Sequence, residues 1–403
     1  MKIIAHVDAD CFYVSCERVR SPELVGKPVG VLGNQGAFVI ASSYEMKERG
    51  ISVGVPVWEA KKICPEGIFL RRDFHWYAAL SSAMQEVFSS FSDRVEYYSI
   101  DESFIDFGNY FGDLKLLGIN IRDTIFKRVG LPVSVGLSLS RILAKTASSY
   151  KKPNGITVVV RENLTEFLKS VLVSDIPGIG RRLNRRLISR GVQTAWDYVN
   201  KSNFEIKKLL HKPGEEIWYE LRGMPLLPIR DKHPLRKCLS RGGSLWGHPR
   251  GGKYIWGFMV RNLERFADVL WREDIEVKKL IVILITSEGA AFKHVELLPD
   301  FTNSYSDLLK ALRKCFFYVF VPGPSYFAVH VLGEPVRSVS GKQLNIFTTE
   351  PLRSKKLDSL RHKLNKRFGL FAIRSGATAY IPEVFRDKTS DFEVCDIEGK
   401  FCF

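Results

Sequence analysis

The sequence lacks the features of most secreted, membrane-embedded and zinc-binding proteins. Its seven cysteines are odd in number and include no C-x-x-C pair, so neither a disulfide framework nor a structural zinc site is expected. No run of about eighteen apolar residues is present, and the first residues have no signal-peptide pattern. These absences predict a cytoplasmic protein in a reducing compartment, without a membrane partner.

Acidic residues are also comparatively few. The 403-residue chain has 60 lysines and arginines against 44 aspartates and glutamates, a formal net charge of +16. This excess favours a polyanionic partner, because basic side chains release counterions from a nucleic acid, and it predicts affinity that falls with salt. Residues 230–261 hold eight basic residues and one acid, with Trp246, Tyr254 and Trp256 among them. That mixture favours a groove along a nucleic-acid backbone over a merely solvating surface.

Two acidic positions interrupt segments that otherwise predict β-strands. Asp8 lies within residues 3–13, and Asp101 with Glu102 within 97–104, both with alternating β-branched and aromatic residues. Carboxylates in such surroundings are costly to bury unless a cation neutralises them. Oxygen ligands from two strands would suit Mg²⁺ bound against a phosphate-bearing substrate. Either position alone could equally be an ordinary strand-end acid on a solvated edge.

The first part of the chain predicts an α+β domain. Its order of elements is strand, helix, two strands, helix and strand, which is the split βαβ arrangement of ferredoxin-like folds. An inserted segment, 9–72, follows the first strand. The order places the two acidic positions on neighbouring central strands. Strands are predicted at 2–8, around 94–108 and at 131–138, and helices at 44–49, 56–63, 75–91, 113–129 and 140–149.

A small helical region is predicted at about 159–229. It contains Ile176-Pro177-Gly178-Ile179-Gly180-Arg181, which is typical of a helix–hairpin–helix. The glycines allow close approach to a phosphate, and N–H groups at the start of the next helix can bind it. A plain turn between two helices is the alternative, but Arg181 and the arginines after it favour binding to the DNA backbone.

A basic linker is predicted next, at 230–241, with Arg236, Lys237 and Arg241 as candidate DNA contacts. Beyond it lies a second α+β module at 242–336. A less regular tail, 337–403, completes the chain. The module's strands are predicted at 279–286, 291–297 and 326–332, with helices between them.

Five short segments of the sequence together resemble the Y family of translesion DNA polymerases, and they occur in the family's order and at about its spacing. The resemblance covers essentially the whole chain. It implies template-directed, error-prone synthesis from dNTPs on primer–template DNA. The segments are Asp8-Ala9-Asp10-x-Phe12-Tyr13, Ala41-Ser42-Ser43-Tyr44-Glu45-Met46-Lys47, Ser99-Ile100-Asp101-Glu102, Lys152-Pro153-Asn154-Gly155 and the hairpin 177–180.

The resemblance also implies the right-hand arrangement of that family. Its parts would be a ferredoxin-like palm, small fingers, a helical thumb that contains the helix–hairpin–helix, and an α+β little finger. A basic linker would join thumb and little finger, and a tail would follow. The ranges are 1–10 and 73–158 for the palm, 11–72 for the fingers, 159–229 for the thumb, 230–241 for the linker, 242–336 for the little finger and 337–403 for the tail.

By the same resemblance, Asp8, Asp101 and Glu102 would hold two Mg²⁺ ions, with the Ala9 carbonyl as an added ligand. One ion would lower the pKa of the primer 3′-OH, and the other would bind the triphosphate. Tyr13 would exclude a 2′-OH as a steric gate. A strand-end tyrosine more commonly packs in a core, which is the alternative for this residue.

Four more residues would surround the nucleotide. Phe12 would line the same pocket as the gate, and Lys152 would approach the triphosphate from the palm. Tyr44 and Lys47 are three residues apart, so on a helix they share a face. In the family that face contacts the triphosphate.

Two departures from the family's DinB type point to its UmuC branch. Ala41 stands where many relatives have a hydroxyl residue, and Lys47 stands where they have arginine. A lysine is a point charge and cannot grip phosphate in the bidentate manner of arginine. Resemblance to the UmuC branch implies two further candidate partners, a UmuD-like accessory dimer and a recombinase filament.

The tail carries a segment similar to the bacterial sliding-clamp-binding pentapeptide, Gln343-Leu344-Asn345-Ile346-Phe347. Gln343 would bond at a pocket rim, while Leu344, Ile346 and Phe347 would fill an apolar groove. A buried strand is the alternative interpretation of this segment.

Two other classes fit parts of the pattern. A non-catalytic, polymerase-like clamp adaptor would not need Asp8, Asp101 and Glu102. A nucleotide cyclase shares the palm and its carboxylate pair, but it gives no role to the helix–hairpin–helix, the basic linker or Tyr13. We therefore expect a polymerase.

Overall fold

The computed structural model describes residues 2–33, 38–230, 235–245, 247–339, 352–369 and 371–379, apart from the side chains of 352–355. The described residues up to 230 belong to one compact unit, and those from 235 onwards belong to a second. The predicted clamp-binding segment, 343–347, lies outside the described residues. No described helix is long and apolar enough to cross a membrane.

A five-stranded sheet forms the centre of the first unit. Its strands, in spatial order, are β5 (Val95–Tyr97), β6 (Glu102–Asn109), β1 (Lys2–Ala9), β7 (Val133–Ser138) and β8 (Ile156–Val159). Neighbouring strands are antiparallel except β7 and β8, which are parallel. Asp8 of β1 pairs with Glu102 of β6. The prediction that the acidic positions lie on neighbouring central strands is confirmed.

Helices cover both faces of this sheet, which explains why β1 is buried along nearly its whole length. Ala5 and Val7 pack into the main core with α4 (Phe74–Ser89) and α5 (Leu114–Val129). Ile4 packs on the other face against α6 (Arg141–Tyr150). The three helices lie within two residues of their predicted bounds. Alternation along β1 therefore directs His6 and Asp8 to the face that α6 covers.

One helix of the first unit was not expected from the sequence. The prediction put Tyr13 at a strand end, but α1 (Phe12–Arg20) begins directly after the acidic turn. Cys11 adopts a left-handed backbone conformation, φ 46°, which turns the chain from β1 straight into the helix. The aromatic pair resembles a strand end in sequence because this turn leaves no glycine or proline signal.

The remainder of the inserted segment forms a small sheet with its own apolar core. Its strands are β2 (Val29–Leu32), β3 (Val39–Ser42) and β4 (Ile68–Arg71), in the order β3-β2-β4. Met46, Ile51 and Cys64 are buried in that core. Its helices are a 3₁₀ turn (Pro22–Leu24), α2 (Tyr44–Glu48) and α3 (Val57–Ile63).

The region predicted to be helical has a separate core. Its longest helix, α10 (Asn203–Leu221), is interrupted at His211, whose backbone is not helical, two residues before Pro213. Strand β8 precedes this region and was not predicted. The helices are α7 (Leu164–Ser170), a 3₁₀ turn (Val173–Asp175), α8 (Arg181–Ile188), α9 (Ala195–Asn200) and α10 (Asn203–Leu221).

The second unit is a four-stranded antiparallel sheet with helices α11 (Gly252–Arg272) and α12 (Tyr305–Val319) packed in one core. The first strand, β9 (Leu239–Ser244), begins inside the segment predicted as a linker. Helix α13 (Leu352–Phe368) and a 3₁₀ turn (Gly376–Thr378) follow the sheet. The strand order is β11 (Ala291–Thr302), β10 (Ile275–Thr286), β12 (Tyr326–Ser338) and β9 (Leu239–Ser244).

Candidate active site

The acidic residues meet where β1 ends and β6 begins. The Ala9 N–H donates to the Asp101 carbonyl oxygen at 2.9 Å, which joins the two chain segments just beyond the Asp8–Glu102 pair. Asp8 is 8% exposed, and Asp101 and Glu102 are half-buried. Three carboxylates are therefore brought to one corner of the sheet, as the sequence predicted.

Ser99 fixes the turn that carries Asp101. Its hydroxyl donates to the Asp101 carboxylate at 2.5 Å and accepts the backbone N–H of Asp101 and of Glu102 at 3.3 and 3.1 Å. The Asp101 side chain is thus oriented by its own turn. The sequence motif contains Ser99, but its role follows only from this geometry.

Asp10 is a structural anchor beside the site. Its carboxylate accepts the Ser134 hydroxyl at 3.0 Å, the Asn154 backbone N–H at 2.7 Å and the Tyr44 hydroxyl at 3.3 Å. These bonds tie β1 to β7, to the turn after α6 and to α2. Asp10 holds together the segments that supply the other residues, and the sequence assigned it no separate role.

Two lysines neutralise two of the carboxylates. The Lys152 ammonium lies 2.5 Å from Asp8 Oδ1, and the Lys145 ammonium lies 2.5 Å from Glu102 Oε1 and 4.6 Å from the Tyr98 ring centroid. Lys152 was predicted as a nucleotide contact. Lys145 was not predicted, because its position on α6 carries no local sequence signal.

The nearby lysines do not fully compensate for the burial of the Asp101 and Glu102 carboxyl groups. Burial, reinforced by the negative charge of Asp8, raises the pKa of Asp101. Burial, only partly offset by Lys145, raises the pKa of Glu102 from 4.5 to about 7. Burial alone would lower the pKa of Lys152, but the attraction of Asp8 outweighs it and raises that pKa. An additional cation would therefore be stabilised here.

The donor chemistry fits Mg²⁺, although no metal site is already assembled. In the part of the chain that the structure describes, no group of three or more His, Cys, Asp or Glu side chains is arranged to hold a metal ion. The oxygens at this corner are carboxylates and a backbone carbonyl, which hard cations prefer. Asp8, Asp101, Glu102 and the Ala9 carbonyl are the candidate ligands, once the lysines give way.

This electrostatic imbalance predicts how stability depends on pH in the absence of Mg²⁺. Between its ordinary pKa of 4.5 and about 7, Glu102 binds more protons in the folded than in the unfolded protein. The free energy of unfolding should therefore decrease as pH rises through this window, by up to roughly 3 kcal/mol for this group. Thermal unfolding across that window, with and without Mg²⁺, measures the effect. Mg²⁺ should stabilise more at the alkaline end.

Variants test whether Glu102 causes this pH dependence of stability. Glu102→Gln should reduce the pH dependence, because the amide does not titrate. The matched control is Glu288→Gln, since Glu288 is exposed in the second unit. An unchanged pH slope in Glu102→Gln would contradict the prediction.

The two aromatic residues of α1 have different environments. Phe12 is 4% exposed and lies in the main core, so little of it can line a pocket. Tyr13 is half-buried, and its ring stacks on Tyr77 with centroids 4.8 Å apart and planes 23° apart. Tyr77 is itself held by a 2.6 Å bond from its hydroxyl to Glu17. Tyr13 therefore sits on a fixed aromatic support.

Helix α2 brings its basic face to the acidic turn. The Lys47 ammonium lies 4.6 Å from the Tyr44 ring centroid, which confirms that they share a face, and 3.3 Å from Cys11 Sγ. The helix starts at this point because the Ser43 hydroxyl accepts the Met46 N–H. Tyr44 and Lys47 of α2 thus lie around the Asp8–Cys11 turn, together with Lys152, which bonds Asp8 directly.

The segment predicted as a helix–hairpin–helix forms a turn between the 3₁₀ turn Val173–Asp175 and α8. Gly178 has φ +93°, and a Cβ there would also lie 3.0 Å from Ile217, so the turn requires glycine. Gly180 precedes the first residue of α8 and has no side chain to cap it. The exposed arginines near this turn are Arg181, Arg182, Arg185, Arg186 and Arg190.

The linker candidates differ in how accessible they are. Lys237 is exposed, Arg236 is half-buried and bonded to Glu273 at 2.9 Å, and Arg241 is 5% exposed within β9. Lys237 is therefore the one of the three whose charge is fully available at the surface.

Residues 7–149, which contain the three carboxylates, match the model of the impB/mucB/samB family. DNA polymerase IV of Listeria monocytogenes serotype 4a (strain HCC23) is 34% identical over 313 residues, 76% of this chain and 88% of that protein. DNA polymerase IV 1 of Bacillus subtilis (strain 168) is 28% identical over 389 residues, 94% of this chain and 93% of that protein. A solved Y-family DNA polymerase chimera of Dbh and Dpo4 matches with a TM-score of 0.71 at 24% identity, over 83% of this chain and 99% of the chimera.

The relatives that the chain resembles make it a polymerase-class nucleotidyltransferase, and the paired carboxylates with basic residues around them agree with that class. The chain belongs to the Y family of DNA polymerases. The predicted family and fold class are confirmed, and the UmuC branch stays a prediction.

Proposed function

We propose that this Y-family enzyme adds dNTPs to a primer 3′-OH at the corner formed by Asp8, Asp101 and Glu102, on undamaged templates and past lesions. The observation that carries the proposal is the pairing of Asp8 with Glu102 at the end of the central strands, beside Asp101. A non-catalytic adaptor has no use for three carboxylates whose burial costs free energy.

In this proposal the three carboxylates would hold and orient the metal ions, whose positive charge would favour their ionised form. Bound there, two Mg²⁺ ions would lower the pKa of the primer 3′-OH and stabilise charge on the triphosphate and the leaving pyrophosphate. Ser99 keeps Asp101 in one orientation through three hydrogen bonds. If Asp8 bound Mg²⁺, Lys152 would no longer be needed to neutralise it, and its ammonium would be available to bind the triphosphate together with Tyr44 and Lys47.

The aromatic support under Tyr13 allows that residue to select deoxyribonucleotides over ribonucleotides. A ring stacked on Tyr77 cannot move aside easily, so it excludes a 2′-OH by contact. Phe12 stabilises α1 from within the core and acts on the nucleotide only through Tyr13, 5.6 Å away between ring centroids.

DNA binding is assigned to two basic surfaces. The backbone at Gly178–Gly180 and the arginines from Arg181 onwards bind DNA phosphates without reading sequence. In the second unit, Lys237 contributes to the same kind of contact, while Arg236 and Arg241 act mainly within their own fold.

Template dependence tests the proposed function. Each dNTP alone is offered against each of the four template bases, with Mg²⁺ and a fixed primer. The complementary dNTP should be added preferentially in every case. Equal addition of all four dNTPs opposite every template base would contradict template-directed synthesis. Tight DNA binding with no addition at all would favour the non-catalytic adaptor.

The bacterial sliding clamp is the proposed protein partner, on the basis of the segment at 343–347. Replacing Gln343, Ile346 and Phe347 by alanine should abolish stimulation of synthesis by the clamp and leave synthesis without the clamp unchanged, because the segment lies outside the catalytic sequence motifs. Primer extension with and without the clamp measures both. Equal loss of both activities would mean a structural segment. The UmuD-like dimer and the recombinase filament are further candidates from the same resemblance.

A further inference from the structure

A buried histidine lies behind the carboxylates. His6 is two residues before Asp8 on β1, opposite Phe104 of β6 and Gly136 of β7. Its side chain is fully buried, and its ring centroid is 4.6 Å from that of Phe104. Because side chains alternate along a strand, His6 lies on the same face of the sheet as Asp8.

Gly136 explains why helix α6 reaches both His6 and Glu102. A Cβ at Gly136 would collide with the Ala144 carbonyl oxygen and the Ser148 amide nitrogen, so only glycine permits this approach. The approach places Ser148 Oγ 2.7 Å from His6 Nδ1. The same helix places the Lys145 ammonium on Glu102.

The other ring nitrogen faces Glu102. Among the described residues, His6 Nε2 has no hydrogen-bond partner, and it lies 3.9 Å from Glu102 Oε1. Leaving a buried polar atom unsatisfied costs about 1–3 kcal/mol. A movement of less than about 1 Å would bring the two atoms to hydrogen-bond distance.

We propose that His6 is a positioning residue for Glu102, which donates its Nε2–H to that carboxylate when Lys145 no longer holds it. The inference rests on the proposed function, in which Glu102 exchanges Lys145 for Mg²⁺. A neutral donor fixes the carboxylate without adding a positive charge that would oppose the incoming cation. Hydrogen bonds of this kind behind a metal ligand typically change metal affinity or activity by about 10- to 100-fold.

The proposal requires the proton of the neutral ring to be on Nε2. In that tautomer the Ser148 hydroxyl donates its one proton to Nδ1, 2.7 Å away, instead of to the Lys145 carbonyl oxygen at 2.9 Å. The carboxylate near Nε2 favours the same tautomer, because a lone pair there would face negative charge.

Three substitutions separate this role from packing. His6→Gln retains an N–H donor near the position of Nε2, His6→Asn retains one near Nδ1, and His6→Phe retains only the ring. Direct titration with Mn²⁺, followed by its electron paramagnetic resonance signal, and the Mg²⁺ concentration for half-maximal extension are measured for each. His6→Phe and His6→Asn should weaken metal binding about 10-fold, and His6→Gln should restore most of it.

The opposite pattern would overturn the proposal. If His6→Asn behaved as wild type and His6→Gln did not, the bond to Ser148 alone would matter. If His6→Phe bound metal normally, the ring would serve only packing. The proposed function is tested separately by two measurements of Mn²⁺ binding. Wild-type protein should bind Mn²⁺, and Asp101→Ala should lose that binding. A wild-type protein that binds no metal would refute the proposed function rather than the role of His6.

Nuclear magnetic resonance of ¹⁵N-histidine-labelled wild-type protein avoids any effect of substitution on folding. The two-bond proton–nitrogen correlations of the His6 ring, identified by their absence in His6→Phe or, if that variant is unstable, in His6→Gln, report which nitrogen is protonated. The Nε2–H tautomer is expected. The Nδ1–H tautomer would overturn the proposal, because Nε2 could not then donate.

Discussion

Asp101→Ala should lower the rate of primer extension by at least about 1,000-fold and leave DNA affinity nearly unchanged. The substitution removes a candidate metal ligand, and about 4 kcal/mol of lost transition-state stabilisation corresponds to that factor. The exposed arginines after Gly180 are untouched, so DNA should still bind. Single-turnover extension and fluorescence anisotropy with the same primer–template measure the two effects.

The matched control is Asp123→Ala. Asp123 is an exposed carboxylate on α5, paired with Arg122 at 2.8 Å, so its removal leaves the acidic corner intact. Extension by Asp123→Ala should match wild type. Substantial extension by Asp101→Ala would remove that residue from the catalytic set.

Tyr13→Ala should increase incorporation of ribonucleotides relative to deoxyribonucleotides by about 10- to 200-fold. The alanine removes the ring that stacks on Tyr77, and with it the surface that would contact a 2′-OH. The ratio of kcat/KM for a matched rNTP and dNTP measures the change.

Tyr13→Phe is the control, because it keeps the ring and removes only the hydroxyl. Discrimination in this variant should remain close to wild type. Unchanged discrimination in Tyr13→Ala would mean that Tyr13 is a packing residue. Loss of discrimination between rNTP and dNTP in both variants would mean that the Tyr13 hydroxyl, and not its ring, excludes ribonucleotides.

Much of the site follows from local sequence patterns. The alternation in residues 2–8 predicts β1, and the split βαβ order predicts that Asp8 and Glu102 are neighbours, as their ladder pairing shows. Tyr44 and Lys47 share a face because three residues make nearly one helical turn. The alternation and the shared helix face are short-range properties, and the order of elements restricts which strands can be neighbours, so a single sequence contains all three.

Contacts between distant residues could not be predicted in this way. His6 and Ser148 are 142 positions apart, and they meet because Gly136 admits α6 to the sheet. Asp10 anchors segments 124 and 144 positions away, at Ser134 and Asn154. Nothing local distinguishes these residues from ordinary core or loop positions.

Strand β9 illustrates the same limit in the second unit. Its sequence, Leu239-Ser240-Arg241-Gly242-Gly243-Ser244, is polar and glycine-rich, so it was predicted to end a linker. Pairing with β12 makes it a strand, and a Cβ at Gly242 would clash with Val329 and His330 of that partner. Tertiary pairing has overridden local propensity here.

Primer extension with Mg²⁺ and all four dNTPs, on an undamaged template and on one with an abasic site, is the decisive experiment for templated synthesis past lesions. The proposed function predicts extension on both templates, synthesis beyond the abasic position, and none when Mg²⁺ is removed. Tight DNA binding without extension on either template, even after the clamp and accessory proteins are added, would contradict it.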